Sequence, residues 1–293
     1  MISINYNIGG ITMDRIAVIS DIHSNLEALK AVIDDIKNRG ITKIYCLGDI
    51  ISKGTHSKEC IEIIKKECEV IIQGNCDYYF SKDFTDEELL SKDETEQKRI
   101  SWNKSKLSDE EILFLQSLPF CHEIYISGSL VRFYHATPKA NNIPVINLDS
   151  IQTKYEMFLP SERTISQEKA DIVIYGHIHH PYLDKLYNRT LINCGSVGNS
   201  FDVIRNDEKD SNTKETTKAY YLVIEGEIGK KEYGDSISFN FVKVPYDFNK
   251  ELEENVDNIE KENYEYEIIH GMYRDMNKIN EGYIKRGIDV DKI

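Results

Sequence analysis

Short apolar runs rich in β-branched residues alternate with stretches of helical spacing through the first 75 residues of the chain. RIAVIS (Arg15 to Ser20), KIYCLG (Lys43 to Gly48) and EVIIQG (Glu69 to Gly74) read as buried strands. After the first of them, Leu26, Leu29, Ile33 and Ile36 recur at helical spacing, with Ser24 placed as N-cap and Gly40 as the stop. Cys60 to Lys66 falls in a second helix. Strand, helix, strand, helix, strand is the pattern of βαβ units and predicts a largely parallel sheet.

From Tyr78 to Phe120 the pattern is polar and helical, with two apolar stretches. In the second, LSDEEILFLQSLP, Ser108 and Glu111 have capping-box spacing. Residues 78–120 are expected to form a small helical cap inserted over a site, where Tyr78, Tyr79, Phe80 or Trp102 offers a ring for stacking or for the core. Strand patterns then return at SLVRFYHA (Ser129 to Ala136), DIVIYGHI (Asp171 to Ile178), TLINCGS (Thr190 to Ser196), AYYLVIEG (Ala219 to Gly226) and ISFNFVKV (Ile237 to Val244). Beyond Pro245, Leu252, Val256 and Ile259, then Ile269, Met272, Met276, Ile279 and Tyr283, keep helical step. The expected organisation is one α/β domain over residues 14–248 and a helical tail over 249–293, packed on the domain or on a second copy in a homo-oligomer.

Charge narrows the partners. Lys plus Arg number 36 against 50 Asp plus Glu, a formal charge of −14, and such a surface repels long nucleic acid. The acidic and polar stretches DETEQ (Asp93 to Gln97) and NDEKDSNTKETTK (Asn206 to Lys218) read as solvated segments, the second as a mobile loop. Six cysteines without CxxC spacing, a leading segment MISINYNIGGIT without secretory features, and no apolar run near the ~20 residues that cross a bilayer together predict a cytoplasmic protein with free thiols and no membrane association. Residues 1–12 read either as an extension before Met13 or as the product of an alternative start.

The chemistry gathers at the strand ends. Asp21 and His23 follow the first strand, Asp49 the second and Asn75 the third; His135 ends a later strand, and His177 and His179 end the next. Ligands bind at the carboxyl ends of strands in open α/β folds, so two carboxylates, one amide and four imidazoles would meet in one place. Any one of these motifs alone is more often a turn. Their joint order, DxH, GD, GN, H and GHxH, points to metal ligands, and seven donors exceed the coordination of one ion. Two metals are implied, with Asp49 shared.

The motifs SDIHSNLEAL (Ser20 to Leu29), LGDI (Leu47 to Ile50), GNCD (Gly74 to Asp77), YHATP (Tyr134 to Pro138), GHIHHP (Gly176 to Pro181) and NCGSVG (Asn193 to Gly198) resemble those of calcineurin-like metallophosphoesterases over roughly residues 14 to 250. The longer DIHSNLEAL form, the WNKSKLSDEEILFLQSLP stretch and VPYD (Val244 to Asp247) are similar to a bacterial phosphodiesterase-like branch. The resemblance implies a four-layer αββα sandwich. It further implies one metal on Asp21, His23, Asp49 and His179, and a second on Asp49, Asn75, His135 and His177. Manganese or iron is expected, with zinc or nickel as alternatives, because mixed nitrogen and oxygen donors accept all of them.

Two divalent ions, two aspartates and a bridging hydroxide leave the site at about +1, so phosphate is attracted and in-line attack by the hydroxide follows. Asp49, Asn75 and His135 are the residues expected closest to the chemistry. Two departures from the pattern stand out: Ala136 where many relatives have glycine, and Cys76 where many have a histidine that contacts phosphate or protonates the leaving oxygen. No cysteine-phosphatase loop surrounds Cys76, and Asn75 is the better ligand, so the favoured reading is a replacement beside the substrate, with His180 as a further substrate contact. A neutral thiol suits leaving groups that need little protonation, such as aryl diesters or anhydrides. His56, His122 and His270 are expected at the surface or in the core. The expected activity is hydrolysis of small phosphodiesters or nucleotide anhydrides, including dinucleoside polyphosphates; the alternatives are a phosphomonoesterase and a non-catalytic interaction scaffold.

Overall fold

The computed structural model describes residues 13–200, 218–232 and 236–288. The leading twelve residues, and all but Lys218 of the polar stretch from Asn206, lie outside the described residues.

Two five-stranded sheets pack face to face. One holds β1 (Asp14–Ile19), β2 (Lys43–Cys46), β3 (Val70–Ile71), β9 (Lys218–Gly226) and β10 (Ser238–Pro245), in the order β10-β9-β1-β2-β3. The other holds β4 (Cys121–Ile126), β5 (Ser129–Tyr134), β6 (Ile172–Tyr175), β7 (Tyr182–Leu186) and β8 (Arg189–Asn193), in the order β4-β5-β6-β8-β7. Only part of each sheet is parallel: β1-β2-β3 in the first, where β9 and β10 add antiparallel strands on one side, and β5-β6-β8 in the second, where antiparallel β4 and β7 form both edges. The sheets are therefore mixed, not largely parallel. β9 and β10 are joined without a crossover helix, which makes them antiparallel neighbours.

Buried strands lack polar alternation because both of their faces are covered. Ile16 and Val18 of β1 point into the layer between the sheets, with Tyr45, Leu47, Phe133, Ile174, Ile192 and Leu222. Ala17 and Ile19 point the other way, into a core shared with α1 (Leu26–Asn38) and α2 (Ser57–Glu67). A third cluster, including Phe158, Val173, Tyr175 and Leu191, lies on the outer face of the second sheet, beside α7 (Ile151–Glu156). The result is the four-layer αββα sandwich.

β4 and β7 escaped the sequence pattern. Each is an edge strand with polar or half-buried positions, and each joins its neighbour through a two-residue turn, Ser127-Gly128 or Tyr187-Asn188, whose residues all have positive φ. The α1 N-cap also differs from expectation. Asn25 accepts from the Ala28 amide at 3.0 Å, whereas Ser24 turns its hydroxyl to Ser57 at 2.8 Å.

Residues 75–117 carry α3 (Asn75–Ser81), α4 (Asp86–Leu90), α5 (Glu94–Ser105) and α6 (Asp109–Ser117). The capping box of α6 is formed, Glu111 accepting from the Ser108 amide at 2.6 Å. Phe80, Ile100 and Leu115 join the core around α1 and α2, and Trp102 donates to the carbonyl of Asp257 at 2.8 Å.

The tail forms α8 (Phe248–Glu254), α9 (Lys261–His270) and α10 (Met276–Lys285). α8 lies against α1, where Lys250 pairs with Glu27 at 2.9 Å. α10 and the residues after it reach the opposite outer layer, where Tyr283 and Ile288 join the cluster on the second sheet and Arg286 pairs with Asp149. α9 therefore crosses the edge of the sandwich. Breaks after Glu254 and at Gly271 (φ +63°) reset the helical phase, so Val256 and Ile259 are exposed, while Tyr264, Ile268 and Met272 are the buried positions.

Candidate metal centre

Strand ends from both sheets converge at the edge that α9 crosses. Asp21 and His23 lie beyond β1, Asp49 beyond β2, His135 beyond β5, and His177 and His179 beyond β6; Asn75 opens α3. Five of these seven have left-handed backbones: Asp21 (φ +53°), His23 (+50°), Asp49 (+51°), His177 (+69°) and His179 (+62°). Each such residue costs on the order of 1–2 kcal/mol, so the conformation persists only where surrounding bonds enforce it. They do so here. The Asp21 amide donates to the Gly48 carbonyl at 3.0 Å, the amides of Ile22 and His23 both donate to the Asp49 carbonyl, and Gly198 donates to the Asp21 carbonyl. Gly48 and Gly74 let the two strand ends touch: a Cβ on Gly74 would lie 2.2 Å from Asp49 Oδ1, and one on Gly48 (φ +93°) 2.2 Å from the Gly74 nitrogen.

The donor atoms fall into two neighbouring sets joined by Asp49. On one side Asp21, His23 and His179 bring their ligand atoms within 4.8 Å of one another; on the other, Asp49, His135 and His177 do the same. Asn75 Oδ1 lies 3.0 Å from His135 Nε2 on that second side. Asp49 spans them, with Oδ2 3.7 Å from His23 Nε2 and Oδ1 3.5 Å from His135 Nε2. Asp21 Oδ1 is fully buried without a hydrogen-bond partner, 3.4 Å from His179 Nε2 and 3.9 Å from both His23 Nε2 and His135 Nε2. His23 Nε2 and His179 Nε2 face each other at 3.0 Å. A buried carboxylate oxygen with no donor, ringed by imidazole nitrogens, is the arrangement a cation satisfies.

The protein's own charges prepare the donors. Burial would raise Asp21, but the neighbouring His179 and His135 outweigh it and bring the carboxyl down to about 2; Asp49 moves down for the same kind of reason, with His135 its strongest partner. Burial, then His179, lowers His23 to about 3, and burial, then His135, lowers His177 to about 4, so both rings are neutral with free lone pairs at neutral pH. His135 goes the other way: despite burial, Asp49 and Asp21 raise it to about 9.

Within GNCD the side chains divide the work. Asn75 faces His135. Cys76 uses its backbone, donating its amide to Asp49 Oδ1 at 2.7 Å, while its Sγ accepts from Asn75 Nδ2 at 3.4 Å and lies within 4.8 Å of ligand atoms of His23 and Asp49. Burial, then the Asp49 charge, pushes the thiol well above its ordinary pKa, so it is neutral. Asp77, to which the sequence assigned no role, accepts from the amides of Ile50 (2.9 Å) and Gly74 (3.0 Å), pinning together the turns that carry Asp49 and Asn75; burial, then Asp49, raises it to about 7.

Of the remaining histidines, His180 is half-buried and belongs to none of these ligand sets, His56 lies 3.5 Å from Glu254, His122 packs edge-on against Tyr45, and His270 stacks on Tyr266. Phe80 is in the core and Trp102 is tied to the tail, so neither presents a free ring to the site. Lys53, Asn199 and Glu267 around the centre also went unread: a lysine three residues beyond LGDI, an asparagine after NCGSVG, and one of many acids in the tail carry no recognisable spacing.

Residues 14–209 match the family profile described as the calcineurin-like phosphoesterase superfamily domain. An uncharacterized protein of Methanocaldococcus jannaschii is 35% identical over 264 residues, covering 83% of this chain and 92% of its own. A metallophosphoesterase crystal structure from Sphaerobacter thermophilus superposes with a TM-score of 0.62 at 21% identity, over 88% of this chain and 99% of that one. A hypothetical protein of Pyrococcus horikoshii OT3 gives 0.62 at 19% identity, over 88% and 98%. These two structures share the fold. No helix among the described residues is long and apolar enough to cross a membrane.

Proposed function

The chain belongs to the calcineurin-like phosphoesterase superfamily, and on that premise we propose that it hydrolyses small phosphodiesters or nucleotide phosphoanhydrides, dinucleoside polyphosphates among them, at a centre of two metal ions. The observation that carries this reading is Asp49, whose two oxygens face separate donor sets, His23 on one side and His135 on the other. Asp21, His23, Asp49 and His179 would hold one ion, and Asp49, Asn75, His135 and His177 the other, with manganese or iron best suited to the mixture of imidazole and oxygen donors. Bound there, the ions would supply a water of lowered pKa and an electrophilic hold on the phosphoryl group.

The chain's own groups do the rest. Neutral His23 and His177 offer lone pairs without first losing a proton, and the Asp77 bridge fixes the distance between the Asp49 and Asn75 turns. Half-buried Asn75 and His177 lie on the open side of an otherwise buried set, which is where a phosphate can enter. Cys76 places a neutral thiol beside Asn75, so the leaving oxygen finds no strong acid there. Aryl esters and anhydrides, whose leaving groups depart with little protonation, are the substrates that tolerate such a site. The −14 charge of the chain disfavours long nucleic acid and leaves a small phosphorylated compound as the partner.

Manganese-loaded protein should hydrolyse a chromogenic aryl diester and, in a screen of nucleotides, cyclic nucleotides and dinucleoside polyphosphates, prefer anhydrides or diesters to alkyl monoesters. Absence of turnover on every compound by protein that retains both ions would overturn the enzymatic reading.

A further inference from the structure

α9 connects the two outer helical layers across the edge where the ligands gather, and one of its carboxylates reaches into the support of the centre. Glu267 Oε2 accepts from Lys53 Nζ at 2.5 Å and from Asn199 Nδ2 at 2.8 Å. Asn199 is buried, and its backbone carbonyl accepts from His179 Nδ1 at 2.7 Å, the contact that points Nε2 of that ring at Asp21. Lys53 belongs to the loop after Asp49. In that loop the Gly54 amide donates to the His23 carbonyl at 3.0 Å, and the Ile51 carbonyl lies 3.4 Å from His23 Nδ1. A second tail residue, Asn258, donates to the Lys53 carbonyl, and Lys53 Nζ lies over the Tyr273 ring at 5.8 Å. One carboxylate oxygen thus joins the two loops whose carbonyls orient His23 and His179, the imidazoles that face each other at 3.0 Å.

His135 has no such dependence. Its Nδ1 lies 2.8 Å from the carbonyl of Leu47, a residue of the layer between the sheets.

We propose that Glu267 is a positioning residue for the first half of the metal centre, so that the C-terminal helices are part of that half and a change in their docking alters its metal affinity selectively. A carboxylate buried against a lysine and an amide donor is a weak source of net stability, because desolvation offsets much of the attraction. Outer partners of metal-bound histidines, by contrast, typically govern affinity by about 10- to 100-fold. The proposal rests on the two-metal reading, and its test separates the two.

The full-length parent protein is titrated with manganese alone, following stoichiometry by calorimetry and the coupled two-ion signal by electron paramagnetic resonance. Glu267→Ala is expected to lose about 10- to 100-fold in the affinity of one equivalent while the other stays within about twofold, converting the coupled signal to that of isolated Mn²⁺. Glu267→Gln, which keeps an acceptor for Lys53 and Asn199, should recover most of the loss, and Asn199→Ala should reproduce it. The melting temperature before metal addition should fall most in Glu267→Ala, which leaves Lys53 without its counter-charge, and less in Asn199→Ala, so the unequal loss between the two equivalents is the deciding readout. If the alanine variant does not fold, the glutamine and Asn199 variants decide. Unchanged affinity for both equivalents, or an equal fall in both together with a lower melting temperature, refutes the positioning role while the two-metal centre stands. A parent that binds no manganese, or one equivalent only, refutes the centre itself.

Discussion

Asp21, His23 and His179 lie on one side of Asp49, and Asn75, His135 and His177 lie on the other, yet the two sides draw support from different distances in the chain. The second side is braced by the sandwich itself: the Leu47 carbonyl orients His135, and Asp77 locks the turn of Asn75 to that of Asp49. The first side leans on Asn199 and, through Glu267, on a helix more than 200 residues after Asp21 in the chain. Their electrostatics differ as well. His23 is pushed down to about 3 and His135 up to about 9, because Asp49 and Asp21 act on His135 strongly enough to overcome burial. A site that looks symmetric as a list of ligands is thus two sites with different sensitivities.

Asp49 is where the comparison can be abolished. Asp49→Asn removes the carboxylate charge that the two sides share and replaces one of its two oxygens, so turnover of an aryl diester should fall by about 10³-fold or more with the fold intact by circular dichroism. A variant that keeps more than about a tenth of the parent rate contradicts the shared role.

Gly74→Ala aims at one side. The added methyl would lie 2.1 Å from the Asp49 backbone nitrogen and 2.2 Å from Oδ1, the oxygen facing His135, so the Asp49 turn must shift and the second equivalent of metal, which also draws on the adjacent Asn75, should weaken most, by roughly 10²-fold. Equal weakening of both in a metal titration would mean that the displacement spreads through the whole Asp49 turn.

Acidity should separate the sides further. A ring with a raised pKa is protonated below it and must lose that proton to bind metal. Second-side affinity should therefore rise about tenfold per pH unit up to about 9, with close to one proton released per ion at pH 7. His23 is already neutral above about 3 and adds no such slope on the first side. Calorimetry in two buffers of different ionisation enthalpy measures the released proton, and a first-side ion that releases as much as the second would remove the distinction.

Cys76 should matter least. Cys76→Ala keeps the amide that donates to Asp49, so turnover of an aryl diester should stay within about threefold, whereas Cys76→His should favour poor, alkoxide-type leaving groups if the ring supplies the missing acid. Loss of about 10³-fold in the alanine variant with both ions bound would give the thiol a direct chemical role.

Much of the centre was legible before any coordinates because each ligand follows its own apolar strand, and strand ends in such folds meet. The central strands were readable for the same reason: burial on both faces leaves an unbroken apolar run, as in RIAVIS. What escaped was whatever lacks that signature. β4 and β7 are half-solvated edges, so their composition resembles loop. The tail's helices change phase at Glu254 and Gly271, so the helical step expected through Leu252, Val256 and Ile259 fails at its last two positions, which are exposed. Glu267 and Asn199 act by tertiary contact alone, and Asp77 was in plain view but its amide partners, Ile50, Ile51 and Gly74, are visible only once the Asp49 and Asn75 turns are side by side.

Metal stoichiometry of the full chain tests the central claim most directly. Protein stripped with chelator, reloaded with manganese and freed of excess should carry two equivalents by mass spectrometry and hydrolyse an aryl diester, and the Asp49→Asn variant should lose both properties together. Two equivalents that survive in the Asp49→Asn variant, or full activity with a single equivalent, would contradict a centre of two ions joined through Asp49.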